Sequence, residues 1–476
     1  MNRPGSDFCG KGVLDRYAFV ITGRLDSAMA DPECGGRAAS SRTTPAMAQY
    51  WSIKEQHQDA ILFFHIGDFY ETFGKDAETV SRELDIALTS RSKDDSGKKI
   101  PLAGVPCHAA EGYISRLVAK GYKVAVCDQV EDAKRAKGIV KREVVRVITP
   151  GTVIDEGMLT SPAACYLMAV AADDRAPELG LAFLDVSTGE FLATACSRDG
   201  GNGDLVSEIR RYQPAECLLS EELEQDLEGP VRECGVVVTG IGACPGLDEA
   251  EGLLKEQFGV EGLEGYGITG CPAAIKAAAL ALRYALETQQ RKLSHVRGLA
   301  FRQASEYCVI DSITQRNLEI TRSIRGRPGD PTLLSLLDLT GTPMGSRLLR
   351  QWLTAPLLSA DRINDRLDAV EFFAKDTPIR VKIQALLART ADIERIAGRV
   401  ACRNASPRDL ISLARSLETV PALRDVVSGR TLPSILTTAC TDLEDPDPVV
   451  SLVRRAISED PPVSVRNGGI FRDGYD

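Results

Sequence analysis

The stretch Gly67-Asp68-Phe69-Tyr70-Glu71-Thr72-Phe73 puts aromatic rings and a carboxylate directly after the apolar run "DAILFFHIG". An aromatic ring that projects from a protein surface beside a carboxylate has a specific chemical use. The ring wedges into a base step, and the carboxylate accepts hydrogen bonds from a base edge. Whether these rings project or pack depends on the local element. The apolar run reads as a buried strand, Asp68 stands at a helix-cap position, and Phe73, Ala77, Val80 and Leu84 follow at spacings of four, three and four, one face of an amphipathic helix. A helix starting near Asp68 turns by about 100° per residue, which takes Phe73 into the core and points Phe69, Tyr70 and Glu71 elsewhere, at least one ring outward. The plainer use of an aromatic at such a junction is to fill the core.

Basic residues cluster in the same part of the chain: Arg91, Lys93, Lys98, Lys99, then Lys134, Arg135, Lys137, Lys141, Arg142 and Arg146. Such runs are usually solvated faces, but beside a wedge they become phosphate contacts. Asp185, at the end of "LAFLDVSTGE", has two uses. It is either a metal-binding carboxylate on the first strand of a ribonuclease-H-like nuclease, which needs several converging acids, or a hairpin aspartate that stabilises its own turn. No second carboxylate has a specified position, so the turn reading is favoured.

Other chemistries lack their residues. Three Gly-Lys pairs, beginning at Gly10, Gly74 and Gly97, never form G-x-x-x-x-G-K-[ST], so no phosphate-cradling loop and no bound cofactor are expected in these residues. His57, His65, His108 and His295 show no metal-ligand spacing. Thirteen cysteines, an odd number with no C-x-x-C pair, encode neither a disulfide framework nor a zinc site and fit a reducing, cytoplasmic setting. The net charge of −10 argues against nucleic acid at face value. From Ala171 to Tyr266, however, 21 acidic residues face 6 basic ones, a balance of −15 that leaves +5 for the rest of the chain.

At roughly 100 to 200 residues per domain, 476 residues suggest three domains. Residues 1–43 read as a poorly ordered extension. Residues 44–160 alternate strands ("IALTSR", "IPLAGVP", "YKVAVCDQV", "EVVRVITPGT") with a helix ("HAAEGYISRLVAKG"), a mixed sheet with helices. Residues 161–290 read as a second α/β domain, with the hairpin "LGLAFLDVSTGEFLATAC" and the long helix "AAIKAAALALRYALETQQ". Residues 291–476 are almost all helical, with Met344, Leu348, Leu349, Trp352 and Leu353 on one stripe and Ile363, Leu367 and Val370 on the next, and lack a closing element. The fold class is therefore multidomain α/β plus α, with no membrane span.

The stretches "TPAMAQYWSIKEQHQDAILFFHIGDFYETF", "LDIALTSR", "PLAGVPCHA", "VAVCDQVEDAKRAKGIVKREVVRVITPGT" and "RNLEITRSIRGRPGDPTLLSLLDLTGTPMGSRLLRQWLTAPL" closely resemble the MutS mismatch-repair family from about Thr44 onward. The resemblance implies a mismatch-recognition domain, a ribonuclease-H-like connector without nuclease activity, and a truncated helical core and lever domain. It implies that Phe69 stacks on a mispaired base from the minor groove and that Glu71 hydrogen-bonds to it. Arg91 matches a position near the DNA backbone, and Arg142 and Arg146 lie in the matching basic strand. Cys107 and His65 depart from the family, which often has Tyr and a longer basic residue there.

The family continues into a DNA clamp, a returning lever helix and an ATPase domain that holds ATP and magnesium and forms most of the dimer contact. The implied activity of this chain is thus binding of mispaired or looped double-stranded DNA, without ATP hydrolysis, in the cytoplasm at the nucleoid. The family's partners are a second copy and MutL; this chain alone is expected to be monomeric or weakly associated. The rival readings are a metal nuclease centred on Asp185 and a non-catalytic interaction protein using the acidic middle segment.

Overall fold

The computed structural model describes residues 44–93, 99–131, 139–159, 162–173, 176–198, 202–303, 306–327, 329–462 and 468–475. The expected extension over 1–43 and Lys98, Lys134, Arg135 and Lys137 lie outside them. Thr44 caps helix α1 (Pro45–Gln56) by accepting from the Met47 N–H, with Pro45 in the first turn where no N–H is needed.

A six-stranded sheet follows, ordered β3-β4-β2-β1-β5-β6. Its strands are β1 (Ala60–Ile66), β2 (Phe69–Phe73), β3 (Thr89–Lys93), β4 (Lys99–Pro106), β5 (Lys123–Gln129) and β6 (Arg142–Ile148). Only the β1–β5 pair is parallel. Alternation along β1 splits its side chains between two cores. Ile61 and Phe63 join Tyr70 and the apolar faces of α2 (Lys75–Leu84) and α3 (Ala110–Val118). Leu62 and Phe64 join Phe73 and Met47 and Tyr50 of α1.

The expected helix start at Asp68 is not what forms. Phe69–Phe73 is a strand, paired antiparallel with β1 as Phe64↔Glu71, His65↔Tyr70 and Ile66↔Phe69. Gly67 and Asp68 make the turn, with Gly67 at φ +60°, and the helix begins only at Lys75. Ala77, Val80 and Leu84 are its buried face as the spacing predicts, whereas Phe73 reaches the core from the strand. The four-residue step from Phe73 to Ala77 fits either geometry. What decides is the period of two in Phe-Tyr-Glu-Thr-Phe, built from β-formers.

The second sheet is ordered β11-β10-β7-β8-β9-β12. An antiparallel meander of β7 (Leu167–Asp173), β8 (Ala176–Asp185) and β9 (Glu190–Ser197) is flanked by β10 (Glu216–Ser220) and β11 (Val237–Ile241), parallel to β7, and by β12 (Ala300–Phe301), parallel to β9. The sheet thus draws its last strand from beyond residue 290. Helices α4 (Gly203–Tyr212) and α5 (Glu221–Glu233) pack on one face through Leu205, Ile209, Leu223 and Leu227. Helices α6 (Leu247–Phe258) and α7 (Pro272–Gln289) cover the other. The alanines of α7 allow contact so close that a Cβ added at Gly180 would lie 2.0 Å from the Ala273 carbonyl carbon.

Beyond it come α8 (Ser312–Asn317), α9 (Leu333–Leu337), α10 (Pro343–Thr354), α11 (Ala360–Lys375), α12 (Thr377–Leu387), α13 (Ile393–Ala401), α14 (Pro407–Leu417), α15 (Thr419–Val427), α16 (Ser434–Thr441) and α17 (Asp447–Ala456). Side-chain caps at Thr342, Ser359, Asp376, Asp392 and Ser406 set where five of them begin. The expected apolar stripe of α10 is not its most buried face. Ser346, Arg347 and Thr354 are buried, while Leu348 is exposed. Burial of Arg347 is tolerated because Asp392 binds it through two oxygens at 2.7 Å and Glu394 adds a third bond at 2.6 Å. Two sheet-based α/β regions and a helical one make this a multidomain α/β plus α fold.

Candidate nucleic-acid interface

Strand alternation decides what the β1–β2 hairpin presents. Tyr70 and Thr72 point to one face; Phe69, Glu71 and Phe73 share the other. Phe69 is 46% exposed, against 9% for Tyr70 and 6% for Phe73. The difference comes from α1, which covers the Phe73 end. The Tyr50 ring packs edge-on to Phe73 at 4.8 Å, and the Phe73 N–H donates to the Tyr50 hydroxyl at 3.1 Å. At the tip, Phe69 remains open to solvent.

Glu71 is buried beside it and faces Gly104 across the β2–β4 ladder. A Cβ at Gly104 would sit 3.5 Å from Glu71 Cγ and 3.9 Å from Phe69 Cδ1, so the bare backbone leaves both side chains lying over the sheet.

The tip is held from beneath by residues the spacing did not single out. The Tyr70 hydroxyl donates to Asp128 Oδ1 on β5 at 2.7 Å, and His65 Nδ1 lies 3.1 Å from the same oxygen. His65 Nε2–H donates to the Gly67 carbonyl at 2.9 Å, and the Cys107 N–H donates to the Asp68 carbonyl at 2.9 Å. His65 and Cys107 are thus the residues whose groups hold the two turn carbonyls. Asp128 lies 58 residues from Tyr70, a separation no local pattern reveals.

Of the basic candidates whose side chains are described, Arg142 and Arg146 engage different parts of the fold. Arg142 reaches inward: Nε donates to the His65 carbonyl at 2.6 Å, Nη1 to the Val140 carbonyl at 3.0 Å, and the guanidinium lies 5.1 Å from the Phe64 ring centroid. Burial lowers its pKa from the usual arginine range. Arg146 binds Asp155 at 2.7 and 3.0 Å, and Asn404 donates to the same carboxylate, so Arg146 stands at a joint with the helical region. Arg91 lies on β3, the outermost strand, and its side chain lies outside the described residues. The structure brings Phe69 and Glu71 together, places Arg142 behind the same hairpin, and engages Arg146 elsewhere.

Asp185 is fully buried, and its carboxylate is taken up by its own turn: Oδ1 accepts from Ser187 N–H at 2.9 Å and Ser187 Oγ–H at 2.6 Å, and Oδ2 from the Cys165 N–H at 3.1 Å. Among the described residues no cluster of three or more His, Cys, Asp or Glu could hold a metal ion. Among them, also, no helix is long and apolar enough to cross a membrane.

Two α/β regions ahead of a helical one, with an open aromatic at a pinned hairpin tip, define a multidomain protein with a candidate recognition element near its start. Residues 44–157 match MutS domain I, 165–297 MutS domain II and 313–473 MutS domain III. The DNA mismatch repair protein MutS of Methanococcoides burtonii is 46% identical over 440 residues, covering 91% of this chain and 49% of the relative. Its namesakes from Symbiobacterium thermophilum and Halothermothrix orenii are 43% and 41% identical, each covering 91% of this chain and 50% and 48% of the relative. The chain belongs to the MutS family, and it spans about half the length of the curated relatives it matches.

Proposed function

We propose that this chain recognises mispairs and small insertion loops in double-stranded DNA, with Phe69 as the wedge. The observation that carries the reading is the exposure of Phe69 at a rigid tip where the neighbouring aromatics are buried. Entering from the minor groove, the ring unstacks a base step. That costs a few kcal/mol in paired DNA and less at a mispair, so the protein tests how easily the duplex deforms. A base displaced toward the hairpin meets Glu71, which shares the Phe69 face and accepts a hydrogen bond from its edge. Perfectly paired DNA displaces no base toward the hairpin, which sharpens discrimination.

In this reading Arg91 contacts the backbone from β3. Arg142 supports the hairpin through the His65 carbonyl, and Arg146 fixes the joint at Asp155. The second sheet serves as a ribonuclease-H-like connector without nuclease chemistry. ATP with magnesium, a second copy of the chain and MutL enter through the family and belong to the whole relatives' cycle.

A duplex with 2-aminopurine beside a G·T mispair tests the wedge directly. Binding of the native chain is expected to raise the probe's fluorescence as it unstacks, and Phe69→Ala to leave it quenched at equal occupancy. Equal unstacking by both proteins would remove Phe69 from the mechanism.

A further inference from the structure

A cavity of about 400 Å³ lies where α3, residues 150–159 and 163–166, the second-sheet region and α10 meet. Four arginines line it, Arg211, Arg322, Arg347 and Arg350, and among the described residues no aspartate or glutamate does. Two of these charges are already balanced: Arg211 pairs with Glu208 at 2.7 Å, and Arg347 with Asp392 and Glu394.

The other two are not. Arg350 donates to Gln213 Oε1, and among the described residues neither Arg350 nor Arg322 has a carboxylate within ion-pair distance. Burial, and then repulsion from Arg322, push the Arg350 guanidinium below its usual range. Gln213 stands in the left-handed region at φ +50°, and its Nε2 donates to Thr321 Oγ1 at 3.2 Å, which turns its oxygen toward Arg350 and fixes the guanidinium.

Two uncompensated guanidinium forks beside apolar walls that include Val118, Val153 and Met158 make an electrostatically unfilled site. The fork matches phosphoryl oxygens through paired N–H donors, and burial strengthens the bonds that Arg350 makes, with Arg322 at the exposed rim. The volume lies in the range of small-ligand sites and exceeds what one phosphate fills.

We propose that this junction binds a compact polyphosphoryl anion of the pyrophosphate class, held between Arg322 and Arg350. The anion contacts the helical region through Arg350 and the second-sheet region through the adjoining Gln213, so its binding ties the two together. The proposal does not depend on Phe69 or on recognition of mispairs.

Titration calorimetry of the full chain with sodium pyrophosphate, against sodium chloride at matched ionic strength, tests it. Saturable one-site binding is expected, weakened at least tenfold by Arg350→Gln and likewise by Arg322→Gln. The second substitution is at an exposed position and leaves the Gln213 bond in place, so it reports on the site even if the first variant misfolds. Inorganic phosphate, which engages one fork, should bind more weakly. Heats that follow ionic strength alone, affinity that Arg322→Gln leaves unchanged, or equal affinity for phosphate and pyrophosphate would each overturn the two-arginine site.

Discussion

Two hairpins, β1–β2 and β8–β9, each carry an aspartate at or beside the turn, and they meet opposite fates. At β8–β9 the turn is sealed. Asp185 and Ser187 are fully buried, and the His295 Nε2–H donates to the Val186 carbonyl at 2.7 Å. Helix α13 lies so close that a Cβ added at Gly398 would fall 2.1 Å from the Ser187 carbonyl oxygen. At β1–β2 the turn is pinned through its carbonyls and its Tyr70 side, and the Phe69 ring stays in solvent. Burying such a ring fully is worth roughly 1.5–3 kcal/mol, and here part of that is forgone. A turn whose polar groups are exhausted internally is a structural device. One that is rigid yet leaves a large ring open is suited to a ligand.

The contrast can be broken most strongly from inside the first hairpin. Tyr70→Ala should cost about 4 kcal/mol, as for other buried aromatics, read as a lowered urea midpoint of the first α/β region by hydrogen exchange. A loss below about 1 kcal/mol would mean that the tip has no rigid base. Asp185→Ala should cost about 3 kcal/mol, because the buried Ser187 and Cys165 N–H groups lose their acceptor. It should leave DNA affinity unchanged at temperatures where the chain stays folded, and magnesium-dependent cleavage that this variant abolishes would restore the nuclease reading.

Acid should loosen the second turn more than the first through His295. Burial, the largest influence, lowers the pKa of that ring in the folded chain. Its stability contribution is therefore complete above the unfolded histidine value of about 6.5 and is lost as pH falls toward the lower folded value. Protection of the Val186–Gly189 amides, corrected for the intrinsic pH dependence of exchange, should fall as pH drops below about 6.5, and protection independent of pH would contradict this. Tyr70→Phe, which removes the hydroxyl that donates to Asp128, should cost about 1 kcal/mol and widen the mobility of Phe69 seen by ¹⁹F NMR of a fluorinated ring. The smallest effect on stability belongs to Phe69→Ala, within about 0.5 kcal/mol as for exposed positions. A larger loss in a melting curve would show that the ring is packed.

Much of this was legible before the structure. The Ala-rich pattern of α7, the β8–β9 hairpin and the apolar face of α2 follow from local periodicity and turn residues, which do not depend on distant partners. The same logic misplaced the start of α2, since Asp68 serves a turn as well as a cap and Phe73 fits both periods. The outward aromatic follows in the sequence from a helix that does not form; Phe69 comes from the family resemblance, and its exposure follows from the register of β2 against β1 and β4. Asp128, which meets Tyr70 from 58 residues away, is a long-range partner that no spacing announces, and Asp155 takes Arg146 across a turn that no periodicity marks. For Arg142 and Arg146 the sequence shows a charge but not the carbonyl or carboxylate that each meets in the fold.

The central claim is that the open ring at the tip of β1–β2 confers preference for mispaired DNA. Fluorescence anisotropy of a duplex with one G·T mispair against its perfect match, for the native chain and Phe69→Ala at one fixed salt concentration, tests it most directly, because phosphate affinity alone shifts steeply with salt. The account predicts at least tenfold tighter binding to the mispaired duplex by the native chain and a ratio near one for Phe69→Ala, with similar residual affinity for both duplexes. A native chain that binds the two duplexes equally, or a Phe69→Ala variant that keeps the preference, would contradict it.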